Sequence, residues 1–323
     1  MVERAEHAGK NTMSGLVRYH ARANCELRQQ PWDDCRPHLR KVARLKDHET
    51  NLGEFDVLFC ARCKLGFTDP FPTEETTGFL YDAKDSSDFD VIQHSVIDTV
   101  KDFLSVRQVK SLAPHSHLRA VLDYATGNGR FALSAAKAFP SVRVDAVDYQ
   151  DAPPQLLETQ RNARLRYYSL ADFATQDQQY DLIILRHVLE HTHHPVDLVR
   201  DLAARLAPGG VIYIEVPNLD SGCAKVFGKN WKGYYVPRHI FHYTASSLAE
   251  IVERAGLQAD IGRNEMPLMG NTISILTGVG KSNVFVQCLG VLLHPLQLAI
   301  ERWHRSSTCI HAVCRHANAV IPG

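Results

Sequence analysis

From Ala120 to Asn218 the chain repeats one pattern: a short apolar run, a turn, then a stretch with apolar residues at helical spacing. "AVLDYA" reads as a buried strand and "RFALSAAKAF" as a helix, "VRVDAVD" as a strand, "PQLLETQRNA" as a helix and "RLRYYSL" as a strand. "YDLIILRHV" follows as an unbroken apolar strand, then "PVDLVRDLAARLA" as a helix and "GVIYIEVPN" as a strand. Strands that are apolar on both faces belong inside a layered structure. Strands alternating with helices therefore leave an α/β fold, with a mostly parallel sheet covered on both sides. Upstream, "DFDVIQHSVIDTVKDFLSVRQVKSL" reads as a helix leading into this domain. Downstream, "TASSLAEIVERAG" is a helix with Thr244 as its cap and Gly256 at its close, and "NTISILTGV" reads as one more strand.

The first strand-to-helix junction, "LDYATGNGR" (Leu122–Arg130), is a glycine-rich turn. Glycine lets the backbone come close to a ligand. A helix start adds unpaired amides and the positive end of a dipole. Gly127-Asn128-Gly129-Arg130-Phe131-Ala132 matches the dinucleotide pattern G-x-G-x-x-G/A, and Asp148 follows about 20 residues on, at the end of the second strand. A nicotinamide cofactor is thus one reading of this stretch. Asp123 argues against it, because a carboxylate just before the turn repels a pyrophosphate and suits a ligand with an ammonium group.

Taken with the later segments, the sequence resembles the class I S-adenosylmethionine-dependent methyltransferases. "VLDYATGNGRFAL" resembles their first motif, D-x-G-x-G-x-G, and "VDAVDYQ" their acidic second motif. "LEH", the proline four residues later and "LAPGG" also fall where the family has them, and the resemblance runs from about Leu118 to Val279. It implies a Rossmann-like seven-stranded, mostly parallel sheet with helices on both faces, and S-adenosylmethionine as cofactor. It further implies that Asp123 and the turn with Ala125, Thr126, Gly127 and Gly129 face the methionine end of the cofactor. Asp148, with Tyr149 beside it, would take the ribose hydroxyls, Asp172 the adenine amino group, and Arg186 and His187 would line the methionine moiety. Ala125 stands where the family has its first glycine, which admits a second reading as a binding protein with a degenerate site.

"RHVLEHTHH" concentrates His187, Glu190, His191, His193 and His194 after a strand. His187 to His191 spells H-x-x-E-H, a zinc-peptidase signature, but that chemistry needs the histidines one helical turn apart. As the rim of a methyltransferase site, the same stretch offers His191 as a general base and Glu190 as an acceptor contact. "WKGYYVPRHIFHYT" resembles the loop after the fifth strand in methyltransferases of glycan clusters. Trp231, Tyr234, Tyr235 and Arg238 supply stacking faces and donors suited to a sugar, and His239 is a second candidate base. The expected acceptor is a small molecule or a sugar-linked glycan precursor.

Cys60-Ala61-Arg62-Cys63 is a C-x₂-C knuckle, and Cys35-Arg36-Pro37-His38 offers a second ligand pair for a structural zinc. "FCARCKLGFTDPFPTEE" resembles half of a zinc ribbon that precedes some glycan-type methyltransferases, with Cys25 or His20 as alternatives to His38. The expected organisation is a polar extension over 1–34, a zinc-ribbon-like module over 35–82, the methyltransferase domain over 83–280 and an apolar C-terminal helical tail over 281–323. With 36 basic and 36 acidic residues, no nucleic-acid partner is expected. The N-terminal stretch lacks an apolar secretory core, and the cysteines do not pattern as a disulfide framework, so a cytoplasmic setting is expected. The run 283–300 is apolar but broken by His294-Pro295, which fits a packed helix or a peripheral membrane contact better than a membrane span.

Overall fold

The computed structural model describes residues 35–47, 50, 52–78, 80, 96–113, 117–159, 162–265 and 284–317, with short pieces between residues 19 and 31. The expected strand at 271–279 lies outside the described residues. After short strands at Tyr19–His20, Asn24–Cys25 and Gln30–Pro31, the N-terminal part forms three antiparallel strands: β1 (Leu39–Lys46), β2 (Glu54–Cys60) and β3 (Gly66–Asp69). Helix α1 (Val96–Ser111) then leads into β4 (Ala120–Tyr124), α2 (Arg130–Ala138), β5 (Arg143–Asp148) and β6 (Leu165–Ser169). The second half runs β7 (Tyr180–Arg186), α3 (Pro195–Ala203), β8 (Leu206–Pro217), α4 (Gly222–Phe227), β9 (Phe241–His242), α5 (Ala245–Arg254) and β10 (Leu257–Asn264). Helices α6 (Val284–Leu292) and α7 (His294–His304) precede a last strand, β11 (Cys309–His316).

The main sheet has seven strands in the order β6-β5-β4-β7-β8-β11-β10. The first five are mutually parallel, and β11 is antiparallel to both of its neighbours. The chain winds outward from β4 to β6 and then crosses to β7. The strand order reverses between β4 and β7, and in open α/β sheets ligands bind beyond the strand ends at such a point.

The apolar strands divide their side chains between two layers, as a two-residue period requires. Leu182 and Ile184 pack with Ala132 and Ala135 of α2, while Ile183 and Leu185 pack with Val199 of α3 and Leu248 of α5. Helix α5 begins with a reciprocal capping box, Thr244 with Ser247.

Two strands escape the sequence reading. β10 is an edge strand whose side chains are mostly half-buried or exposed, so its sequence looks polar. β11 alternates buried Ile310, Ala312 and Cys314 with His311 and Arg315, which hides its apolar face among polar residues. The stretch expected as a helical tail over 281–323 carries α6 and α7 and then a strand, because β11 finds its hydrogen bonds between β8 and β10. The helix expected over 154–163 shortens to Gln155–Glu158, in which Leu157 alone is buried.

The N-terminal module does not stand apart. Its sheet is completed by β9, paired antiparallel with β3. The Thr68 hydroxyl donates to the His239 carbonyl at 2.6 Å, and the Thr244 hydroxyl to the Lys64 carbonyl at 2.8 Å. Leu65 and Phe67 share one core with Tyr243 and Leu248. Among the described residues no helix is long and apolar enough to cross a membrane.

Candidate active site

The glycine turn takes three left-handed residues, Ala125 (φ 57°), Gly127 (φ 58°) and Gly129 (φ 79°). A left-handed alanine costs about 1–2 kcal/mol relative to an unstrained residue, yet the turn keeps its form and the Ala125 methyl is exposed. At Gly129 a Cβ would stand 2.4 Å from Leu157 Cγ, so here the space also demands glycine.

Within the turn the Thr126 amide donates to the Val147 carbonyl at 2.9 Å and its hydroxyl to Asp123 Oδ2 at 2.6 Å. The Gly127 amide donates to Asp148 Oδ2 at 2.7 Å, and Asp148 Oδ1 accepts the Tyr149 amide at 2.8 Å. Both carboxylates are buried. Burial pushes Asp123 up to about 6, against the pull of the Thr126 hydroxyl and the Arg186 charge. Burial also raises Asp148, opposed by the two amides. Asp123, Thr126, Gly127 and Asp148 thus form one hydrogen-bonded unit at the C-terminal ends of β4 and β5. Asp172 is exposed in the first turn of a short helix (Leu170–Ala174) after β6, where it accepts the Ser169 hydroxyl at 2.8 Å. The Tyr149 ring is half exposed beside the turn.

Arg186 ends β7 and His187 follows it, but the Arg186 guanidinium is directed at Glu215. Its Nε donates to Glu215 Oε1 at 3.0 Å, with Nη2 at 2.9 Å, and it lies 4.2 Å over the Phe131 ring. Burial alone would raise Glu215; Arg186, His187 and the Tyr213 hydroxyl outweigh it and hold the carboxyl down at about 2. Glu215 was not among the expected site residues. The signal was present, as one carboxylate inside the apolar run "GVIYIEVPN" must find partners in the core. His187 is left-handed (φ 55°), and its amide donates to the Glu215 carbonyl at 2.9 Å.

Glu190 and His191 lie in a 3₁₀ turn, Leu189–His191, and not on an α-helix. The H-x-x-E-H stretch therefore lacks the helical spacing of a peptidase site. His191 instead meets His239 from the loop before β9, with ring centroids 4.7 Å apart. His191 Nδ1 donates to the Arg238 carbonyl at 3.0 Å and His239 Nδ1 to the Gly233 carbonyl at 2.8 Å. His187 Nδ1 lies 3.2 Å and His239 Nε2 3.8 Å from Glu190 Oε1. Burial lowers the basicity of both His191 and His239, most strongly His239.

The expected acceptor contacts separate here. Trp231 and Tyr234 are buried in a cluster with Leu45, Phe55 and Val57 of the module, so their rings are core and not stacking faces. Arg238 is fully buried, with Nη1 3.6 Å from the equally buried Asp47 and Nη2 donating to the Leu80 carbonyl at 3.0 Å. It joins the module to the main domain and does not present a donor to a substrate. Tyr235 remains partly exposed, with Lys232 Nζ 4.5 Å from its ring centre.

In the module Cys35, Cys60 and Cys63 are buried, with their sulfurs within 4.8 Å of one another. The Cys63 amide points to Cys60 Sγ at 3.4 Å, and Lys64 takes a left-handed turn (φ 55°). Three converging soft donors with an amide-to-sulfur bond suit zinc and supply three of the four ligands of a closed site. His38 does not join them: its carbonyl accepts the Ala61 amide at 2.9 Å, and the residue is exposed. A fourth donor is not found among the described residues.

A doubly wound sheet in this strand order, with a glycine turn after its first strand and a carboxylate at the end of its second, defines the class I S-adenosylmethionine-dependent methyltransferase architecture. The sequence matches the model of the methyltransferase domain family over residues 93–260, just over half of the 323 residues, and the chain belongs to that family. Membership displaces the nicotinamide and peptidase readings. The chain is 30% identical over 113 residues to trans-aconitate 2-methyltransferase of Variovorax paradoxus, covering 35% of this chain and 44% of that protein. It is 28% identical over 167 residues to the ubiquinone biosynthesis O-methyltransferase of Bordetella avium, covering 48% of this chain and 68% of that protein. Against the first relative the chain thus spans less than half its length. Among solved structures, the plantazolicin methyltransferase BpumL in complex with a monoazolic desmethylPZN analog and SAH is similar at 16% identity and a TM-score of 0.45, over 67% of this chain and 85% of that one.

Proposed function

We propose that this protein transfers the methyl group of S-adenosylmethionine to an oxygen of a small-molecule acceptor, with a sugar-linked hydroxyl as the first candidate. The observation that carries the acceptor reading is the triangle of Glu190, His191 and His239, set beyond the C-terminal end of β7, beside the strand that carries Asp123. The names of the two relatives, one an O-methyltransferase and the other acting on trans-aconitate, support a small acceptor. The balanced charge gives no support to a nucleic-acid acceptor.

In this reading the Asp123 carboxylate holds the methionine ammonium, the turn from Ala125 to Gly129 brings amides close, and Asp148 takes the ribose hydroxyls beside Tyr149. Asp172 takes the adenine amino group. Arg186, fixed by Glu215, and His187 shape the wall at the methionine moiety. The cofactor supplies an electrophilic methyl group, so the chain's part is alignment of the acceptor and help in removing its proton. A structural zinc on Cys35, Cys60 and Cys63 would stiffen the module that carries β3 against β9. Phe285, Leu292, Leu296 and Trp303 are exposed on α6 and α7, which favours a peripheral membrane contact there; co-sedimentation with lipid vesicles checks it.

The test incubates the purified protein with methyl-labelled S-adenosylmethionine and a panel of hydroxylated small molecules and sugar nucleotides. Label transferred to an acceptor oxygen, lost in His191→Ala, supports the proposal. Cofactor binding with no transfer to any member of the panel, and no turnover to the demethylated product, would leave only the reading of a degenerate binding protein.

A further inference from the structure

Glu190 is fully buried, and among the described residues its Oε2 meets no hydrogen-bond donor. Its other oxygen faces imidazoles, His187 Nδ1 at 3.2 Å and His239 Nε2 at 3.8 Å. A carboxylate taken out of water needs either a full set of donors or a cation. The two neighbouring histidines are oriented alike. Each Nδ1 lies on a backbone carbonyl, Arg238 O for His191 and Gly233 O for His239. A carbonyl only accepts, so each ring carries its proton on Nδ1 and its lone pair on Nε2. That is how proteins commonly aim an imidazole at a metal, with the outer nitrogen held by a carbonyl. One donor atom each from Glu190, His191 and His239 lie within 4.8 Å of one another.

The geometry points to a divalent transition-metal site formed by Glu190, His191 and His239, separate from the cysteine cluster. Two imidazole nitrogens and one carboxylate suit zinc, iron(II), manganese or cobalt, and leave coordination positions open. The orphaned Oε2 becomes a ligand, and the buried negative charge gains its counter-ion. Its role rests on the acceptor reading above: an acceptor hydroxyl coordinates at an open position and releases its proton to solvent water, leaving the oxygen lone pair to take the methyl group. His191 and His239 then act as ligands, in place of a general base.

The test is titration of chelator-treated full-length protein with Co(II), followed by visible absorption and elemental analysis. Beyond any thiolate-bound cobalt, which shows strong ultraviolet sulfur-to-metal charge transfer, a second ion with weak visible bands and no sulfur signature is expected. In Glu190→Gln and in His191→Gln, each checked for native circular dichroism, the affinity for that second ion should fall by at least tenfold, with any thiolate signal unchanged. His191 is only partly buried, so at least its variant should fold. Absence of the second ion in the wild type, or equal uptake by both variants, overturns the site. Metal bound as expected without methyl transfer to any acceptor would confirm the site and remove the proposed function. Transfer that persists fully after the ion is stripped would overturn its role in activating the acceptor.

Discussion

The Gly127 amide donates to Asp148 Oδ2 at 2.7 Å, tying the glycine turn to the carboxylate at the end of the neighbouring strand. The bond spans twenty-one positions in sequence but joins adjacent strands, β4 and β5, at their C-terminal ends. The turn and the carboxylate are therefore fixed relative to each other before any ligand arrives. Thr126 extends the unit by bonding Asp123 from the next position along the turn.

Replacing this carboxylate removes its hydrogen bond to the turn and, in the proposed reading, those to the ribose. Asp148→Ala is expected to weaken S-adenosylmethionine binding by about 1–3 kcal/mol, roughly 5- to 150-fold. Asp148→Asn, which still accepts the Gly127 amide, should lose less. Calorimetric titration of both variants checks this, and an unchanged dissociation constant in the alanine variant would displace the ribose from Asp148.

Asp123 gives the site a pH dependence. Its folded-state value of about 6 lies above the ordinary 3.8 because of burial. Between those values the folded chain binds more protons than the unfolded one, so this group favours folding at low pH, and that contribution fades as pH rises through 6. Ligand binding has the opposite sign. If Asp123 holds the methionine ammonium as proposed, that carboxylate is lost below pH 6, so affinity for S-adenosylmethionine should fall as pH drops from 7 to 5. Asp123→Asn should flatten the profile, and an equally steep profile in that variant would show that another group titrates.

Ala125 holds a conformation that glycine adopts freely. Ala125→Gly should relieve about 1–2 kcal/mol of strain and return part of it as unfolded-chain entropy, about 0.4–1 kcal/mol. A net stabilisation of about 0 to 1.6 kcal/mol and a rise in Tm of about 2 °C are expected, with cofactor affinity equal or better. Thermal unfolding measures it; a drop in Tm would mean that the methyl group makes a contact worth more than the strain.

Arg238 and Asp47 form a buried charge pair between the main domain and the module. Arg238→Ala should destabilise the fold by about 3–5 kcal/mol, since it leaves Asp47 buried without its cation. Denaturant unfolding reads the loss. Near-native stability together with a raised KM for the acceptor would restore Arg238 as a substrate contact.

Sequence alone determined the architecture of the sheet's parallel half and the place of the glycine turn at the end of β4, because both rest on local rules. Apolar runs such as "DLIIL", bounded by turns and followed by helical spacing, read as interior strands, and the turn at Gly129 has no room for a Cβ. Asp123 and Asp148 were legible because their positions follow from strand ends and loop length. Tertiary structure decided what depends on distant partners. Arg238, Trp231 and Tyr234 read as exposed recognition groups until β9 brings their loop against the module, where burial makes them core. Arg186 reads from sequence as a contact to the ligand, yet Glu215 on the adjacent strand holds its charge through an across-sheet register that sequence spacing does not encode. The same holds for the pairing of His239 with Glu190 and His191 and for the insertion of β11 between β8 and β10: each contact joins segments far apart in sequence, and only packing of the whole chain selects them.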